Sequence, residues 1–571
     1  QGAEQAEQLF HSMPPGVKPD IYTYGSLLNA WAVSGMREYG AERADSVMQL
    51  LRDDPVVKPN EYCFHVNMNA WARSGTTKAI DRTESLLEEM VLERNYLTAN
   101  WFTYNTYLHV LSAHGSVPGM AQKAEGTLLM MLKRSKKGEE HLRPNRFSYN
   151  SVIDAWSRSR DDVAPSHAFR VLQLLLQDDR AEPDAFSFNQ VLSAFSRSQL
   201  KGAALKAERL LCDWHEAHSN GWIGAAKPQC IAYTSVISAW ARSGEPGAAE
   251  RAQQLLESME RRAAAGDSHL APNTITYNAV IDAWARSGEG TLGARRAEAL
   301  LHRMQRLYEA GNGDRVQPNS ITWNGVLNAW AKSGARCCAY QAQKHLDKMW
   351  EVHRSGKNQR VRPDDKTYNT VIAAISKSQN VGKAQLALRV LRKMDKLHQT
   401  GVLQDSPDGI TYTTVLQSCA VSSDFDERSR MKALDTAIFT LEEIIGRPDV
   451  KPNHVTYEVF LKAVVNLMPD EYKLKKEVVE PVFASCKKDG YVTVVFLAYL
   501  RDAVSEDLYK ELMGDYYLDT TTNNASHKME LPAAWTKNVP NRGRPMRRAT
   551  GVIASTLPRR VGNPKKRRLR Q

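Results

Sequence analysis

Residues Thr274–Asn319 read TITYNAVIDAWARSGEGTLGARRAEALLHRMQRLYEAGNGDRVQPN, and near copies return in both directions along the chain. CIAYTSVISAWARSG begins at Cys230, SITWNGVLNAWAKSG at Ser320 and DKTYNTVIAAISKSQ at Asp365. Aligned on the Trp of "AW", the equivalent positions are Trp31, Trp71, Leu111, Trp156, Phe195, Trp240, Trp284, Trp330, Ile375 and Cys419, spaced by 39 to 46 residues. A period of that size marks a stacked repeat architecture. Within the unit, Tyr277, Val280, Ile281 and Trp284 form one apolar stripe at helical spacing, and Ala297, Leu300, Leu301 and Met304 form a second. Gly288 after the first stripe fits a left-handed helix stop. Each unit is therefore predicted to be a helical hairpin, too small to bury its own apolar face, so that neighbours must stack. The fold class that follows is all-α: an α-solenoid superhelix of helix-turn-helix repeats.

The repeat organises the 571 residues as follows. Residues 1–20 are the second half of a repeat, and 21–453 hold ten full units. Residues 454–468 keep the first helix of a degenerate eleventh, and 469–530 read as a helical, non-repeat C-terminal cap. From 531 to 571 the chain is basic and rich in Pro and Gly, the composition of a disordered tail. The net charge of +12 equals the twelve Lys and Arg, with no acid, between Lys537 and Gln571. The repeats are thus neutral on balance, and any nucleic-acid contact must come from basic residues concentrated on one face. The chain opens without Met inside a second helix, which reads as a fragment whose targeting segment would lie upstream.

Seven scattered cysteines without CxxC pairs argue for a reducing compartment and against a disulfide framework or zinc site. No apolar run is long enough to span a membrane. Cys212, His215 and His218 could hold a metal, but without a second ligand pair a solvated helix face is the preferred reading; no metal or cofactor is expected. Asp502, Glu506, Asp507, Asp515 and Asp519 lie in a polar, helix-like segment rather than a strand-framed nuclease site. The deaminase pattern H-x-E…P-C-x-x-C is absent. The chain reads as a non-enzyme.

The recurring pattern T-Y-N-x-[VL]-[IL]-x-A-W…A-E-x-x-L-x-x-M…P-[DN] resembles the pentatricopeptide repeat over residues 1–468. The units are longer than the family's usual 35, with the extra residues after the second helix, as in the longer-unit members found in algae. The resemblance implies binding of single-stranded RNA at one nucleotide per repeat, in a mitochondrion or chloroplast, with effects on RNA processing, stability or translation. Protein partners in an RNA-processing or ribosomal complex are a further expectation. It also implies that the fifth and last residues of each unit read the base edge. These pairs are Gly25 with Asn60, His65 with Asn100, Asn105 with Asn145, Asn150 with Asp184, and Asn189 with Gln229. They continue with Thr234 and Asn273, Asn278 and Asn319, Asn324 and Asp364, Asn369 and Asp408, and Thr413 and Asn453. The second residues, implied to pack on base faces, are Tyr22, Tyr62, Phe102, Phe147, Phe186, Ile231, Ile275, Ile321, Lys366 and Ile410; Lys366 departs from the pattern. The family's pairing rules imply the target Y-U-?-A-Y-U-U-A from the third unit onward. Gly25, His65 and Gln229 depart from the usual reading residues and their positions stay unassigned.

Other readings compete. The last Asn or Asp could be only a helix N-cap, although Ser and Thr, which cap well, never occupy it in the ten units. The fifth-position Asn could bond a neighbouring backbone. For the whole chain, the alternatives are a tetratricopeptide-like scaffold for peptides, a ribosomal or processing-complex subunit with little sequence selectivity, and a cryptic nuclease in 470–530.

Overall fold

The computed structural model describes residues 2–14, 16–92, 97–221, 227–311, 313–422, 426–468, 472–516 and 531–540. Among these there are helices and no strands. The chain divides into two compact units, one of residues 1–289 with 296–317 and the other of 290–295 with 318–571. Within each, helices pack in sequence order into an α-solenoid.

The first helices of the ten repeats are Ile21–Ala32, Glu61–Ser74, Trp101–Ala113, Arg146–Arg158, Ala185–Arg197, Cys230–Ser243, Thr274–Arg286, Ser320–Lys332, Asp365–Lys377 and Gly409–Ala420. A second helix follows each, such as Ala248–Ala264 or Lys383–Gln399. Within each compact unit a first helix packs on its own second helix and on neighbouring first helices, as Cys230–Ser243 does on Ala185–Arg197 and Thr274–Arg286. The apolar stripes supply those contacts: Tyr277, Val280, Ile281, Trp284, Ala297, Leu300, Leu301 and Met304 are all buried. Gly288 takes the left-handed conformation (φ 77°) that a side chain resists.

Polar contacts fix the hairpins. The fourth-position Tyr turns its hydroxyl onto an acid at the end of its own second helix, as Tyr24 does on Asp54 (3.2 Å), Tyr149 on Asp178 (3.0 Å) and Tyr412 on Glu443 (2.9 Å), whereas Tyr277 reaches Glu260 on the second helix of the preceding repeat (2.5 Å). Between units, a second-helix acceptor takes the indole N–H of the next Trp: Glu125 from Trp156 (3.0 Å), Glu208 from Trp240 (2.9 Å) and Gln253 from Trp284 (2.9 Å). The extra residues of the long units are pinned too. Seven linkers before a first helix insert a buried aliphatic residue: Leu97, Leu142, Leu270, Val316, Val361, Leu403 and Val450.

The C-terminal region differs from the sequence expectation. The helix His454–Leu467 is followed by Tyr472–Asp489, and Tyr457 donates its hydroxyl to Asp489 (2.6 Å), the same clamp as in earlier units. Thr493 then caps Val494–Ala503, which packs on His454–Leu467 as that helix packs on Gly409–Ala420. Within the segment expected to be a non-repeat cap, Tyr472–Asp489 and Val494–Ala503 therefore repeat the clamp and the first-helix packing of the earlier units. The expected disordered tail also has a folded start. Helix Ala533–Thr536 docks through Val492 N–H to the Trp535 carbonyl (2.9 Å) and the Asn538 amide to the Asp489 carbonyl (2.8 Å). Residues 541–571 of that tail, and Asp519, lie outside the described residues. No helix among the described residues is long and apolar enough to cross a membrane.

Candidate nucleic-acid interface

The last residue of each unit is the N-cap of the next first helix. Asn60, Asn100, Asn145, Asp184, Asn273, Asn319, Asp364, Asp408 and Asn453 all have extended backbone, and each side-chain oxygen accepts from the backbone N–H three residues on. Where the third residue is Ser or Thr, its hydroxyl returns a bond to the cap, closing a capping box. Capping occupies one side-chain atom, Oδ1, and leaves the Nδ2 of an Asn or the Oδ2 of an Asp. The cap and the base-reading roles thus use different atoms. Gln229 is the exception. It makes no side-chain cap, and the third residue after it is Ala232, which has no hydroxyl.

The fifth residue of the preceding unit is brought onto this cap. Asn105 donates Nδ2 to Asn145 Oδ1 (3.1 Å), Asn150 to Asp184 Oδ1 (3.2 Å) and Asn324 to Asp364 Oδ1 (3.2 Å). Asn105 and Asn150 also accept from Ser148 and Ser187 at 2.6 Å. At Asn189, Asn324 and Asn369 the amide oxygen is buried without a protein partner, a group that costs free energy unless something pairs it. Thr234 and Thr413 send their protons to the Cys230 and Gly409 carbonyls (2.8 and 2.6 Å), and their oxygens face Thr276 and Thr456 Oγ1 (2.8 and 3.1 Å). The alternative that a fifth-position Asn bonds a neighbouring backbone group is not what Asn105, Asn150 and Asn324 do, since they bond side chains.

One turn away on the same helix face stands the second residue. Among Tyr22, Tyr62, Phe102, Phe147, Phe186, Ile231, Ile275, Ile321 and Ile410, exposure runs from 41 % for Phe102 to 81 % for Tyr22. Lys366 is exposed as well. The first two units differ from the rest. A Cβ at Gly25 would lie 3.1 Å from Tyr62 Cε1, so the next unit's aromatic ring leans on that glycine. Phe102 packs edge-on against His65 (4.9 Å between centroids), and His65 Nε2 lies 2.6 Å from Thr103 Oγ1. Burial holds the His65 imidazole below its ordinary pKa, in the neutral form.

A third row was missed in the sequence. Arg73, Arg158, Arg197, Arg242, Arg286, Lys332 and Lys377 are exposed near the end of their first helices. Each lies eleven residues after the second residue of its unit, about 20° past three full turns, hence on the same helix face. The signal was present in "AWARSG", read there only as a helix end. Other candidates are engaged elsewhere. His215 faces the Tyr233 hydroxyl (2.8 Å), and burial with the nearby Arg262 pushes its pKa down to about 4. Among the described residues, no cluster of three His, Cys, Asp or Glu side chains has metal-binding geometry. Asp502, Glu506, Asp507 and Asp515 are exposed.

Fold and surface together define an α-solenoid of helical repeats in which eight of the ten repeats set an exposed apolar residue beside a polar pair. No protein-family model matches the chain, and no curated protein matches it. Among solved structures, it is similar to the pentatricopeptide repeat protein PPR10 from maize, at 20% identity and a TM-score of 0.49, covering 90% of this chain and 66% of that one. It is also similar to PPR10 in complex with an 18-nt psaJ RNA element, at 16% identity and a TM-score of 0.25, covering 88% of each chain. The chain thus spans just under two thirds of the first structure's length. At such overlap the likeness is descriptive, and the functional reading rests on this chain's own residues.

Proposed function

We propose that this is a sequence-specific single-stranded RNA-binding protein of pentatricopeptide type, reading about one nucleotide per repeat. The observation that carries the reading is the register. Nine of ten repeats expose an apolar side chain at the second position, and in eight of these it stands one turn from a polar pair at the fifth residue and the next cap. Exposed apolar residues repeated at one register call for a flat apolar partner. A base supplies that face, worth about 1–3 kcal/mol per aromatic stack, and its edge carries the donors and acceptors that Asn, Asp and Thr complement. Single strands fit because a duplex hides those edges. Sequestering a segment in this way would act on processing, stability or translation of an organellar transcript, in a mitochondrion or chloroplast, without catalysis by this chain.

The test is binding of the full chain, and of a chain ending at Pro540, to RNA carrying CUCACUUA at fixed near-physiological salt. A scrambled strand and the same sequence as duplex serve as controls. Preference for the matching single strand supports the reading. Equal binding to all three overturns it in favour of a protein-interaction scaffold.

A further inference from the structure

We infer that the eleventh repeat carries a further reading site, Glu458 with Thr493, selective for guanine at the nucleotide 3′ of the A read by Thr413 and Asn453. The inference rests on the RNA-reading function proposed above and extends it to a pair that the sequence pattern divided, Glu458 in a degenerate eleventh repeat and Thr493 outside the repeats.

The placement is geometric. Asn453 caps His454–Leu467, so Glu458 is the fifth residue of that unit. Thr493 caps Val494–Ala503 and is therefore its last, forty residues after Asn453. Thr493 Oγ1 accepts from the Phe496 N–H at 3.0 Å and donates to Glu458 Oε1 at 2.5 Å. This is the relation that joins Asn324 to Asp364 and Asn150 to Asp184, with the donor reversed. The shelf is present too: Val455 is part-exposed, and Val495, the second residue of the following helix, is half-exposed. All of these residues belong to one compact unit of the chain.

The chemistry of the pair differs from that of the other ten. Glu458 is the one fifth residue with a carboxylate. A carboxylate only accepts, through two oxygens in a plane, and the Thr493 proton anchors it on one side. Guanine alone presents two adjacent donors on its Watson–Crick edge, N1–H and the N2 amino group. Two parallel bonds to a charged acceptor are the strong, orientation-specific kind. Adenine and cytosine each place a ring-nitrogen acceptor beside their single amino donor, and uracil flanks its N–H with two carbonyls. Each of these sets an oxygen or nitrogen lone pair against the carboxylate. The stretch read by this unit becomes U-U-A-G, from Asn324 with Asp364, Asn369 with Asp408, Thr413 with Asn453, and Glu458 with Thr493.

The experiment measures affinities of the full chain for CUCACUUA extended by G, A, C or U. A parallel RNA has the U opposite Asn324 and Asp364 replaced by A. Glu458→Gln, which keeps an acceptor for Thr493, is run beside the parent, with circular dichroism as the fold check. The expected result is about tenfold tighter binding of the G-extended RNA, lost in Glu458→Gln, while the penalty for the internal U-to-A change persists in both proteins. A flat response to the added nucleotide with that penalty intact overturns the guanine site alone. A G preference that survives Glu458→Gln overturns the role of the carboxylate. No discrimination at either position overturns the RNA-reading function and this inference together.

Discussion

At Asp408 a single side chain serves both helix and ligand, and the two roles separate by substitution. Its Oδ1 accepts from the Thr411 N–H (2.8 Å) and hydroxyl (2.7 Å), while its own N–H bonds Thr411 Oγ1 (3.2 Å). Asp408→Ala removes the cap and should cost about 1 kcal/mol, seen as a lower denaturant midpoint. Asp408→Asn keeps an oxygen for the cap and turns the second acceptor into a donor. The midpoint should stay while the preference at that nucleotide relaxes from U toward either pyrimidine; an unaltered U preference would argue that the position is structural only. Thr234 offers the complementary exchange. Its oxygen faces Thr276 Oγ1 at 2.8 Å and its proton is spent on the Cys230 carbonyl. In Thr234→Asn an amide can reach Asn273 as Asn105 reaches Asn145. Competition binding with four RNAs should show preference moving from A toward pyrimidine at that nucleotide alone, and a profile identical to the parent would count against the pairing.

Helices were legible in the sequence where two local signals coincide, a capping Asn or Asp and an apolar stripe at helical spacing. Tyr472–Asp489 lacked both: Pro481 interrupts it, and its tie to the stack is the long-range Tyr457–Asp489 bond. Thr493 was hidden for a related reason, since Thr with two following Val residues replaces the usual P-N-x-[apolar]-T-Y. The contacts that set the first two repeats apart were also illegible, because they depend on Tyr62 and Phe102 reaching across from the next repeat's first helix. Packing between elements likewise sets the state of His215, wedged between Tyr233 and Arg262 from two later helices. Its folded pKa is about 4 against an ordinary 6.5. Between those values the unfolded chain takes up a proton that the folded chain refuses, so stability falls as pH drops through the window and levels off below it. His215→Gln should lose less melting temperature than the parent between pH 7 and pH 5. Equal losses would show that this imidazole does not titrate on unfolding.

Across the whole molecule the charge is unevenly placed, and that separates affinity from selectivity. Eleven basic residues and no acid lie in 541–571, while the repeats carry one exposed Arg or Lys near the end of seven first helices. The net charge located the first group from the sequence but masked the second, since acids elsewhere in residues 1–536 cancel it in any sum. A cation on the face that presents the second residue can meet a phosphate, and phosphates carry no sequence information. Arg197→Gln combined with Lys377→Gln should therefore weaken binding to matched and scrambled strands by the same factor, leaving their ratio as in the parent. For single strands each lost phosphate contact lowers the slope of log affinity against log salt by about 0.7, so the double variant should be shallower by about 1.4. A chain ending at Pro540 provides the contrast: its slope also falls, by an amount set by how many of the eleven basic residues touch RNA. If the double variant instead keeps the parental slope but loses its preference for the matched strand, the two cations orient the readers rather than hold the backbone, and the row belongs to specificity.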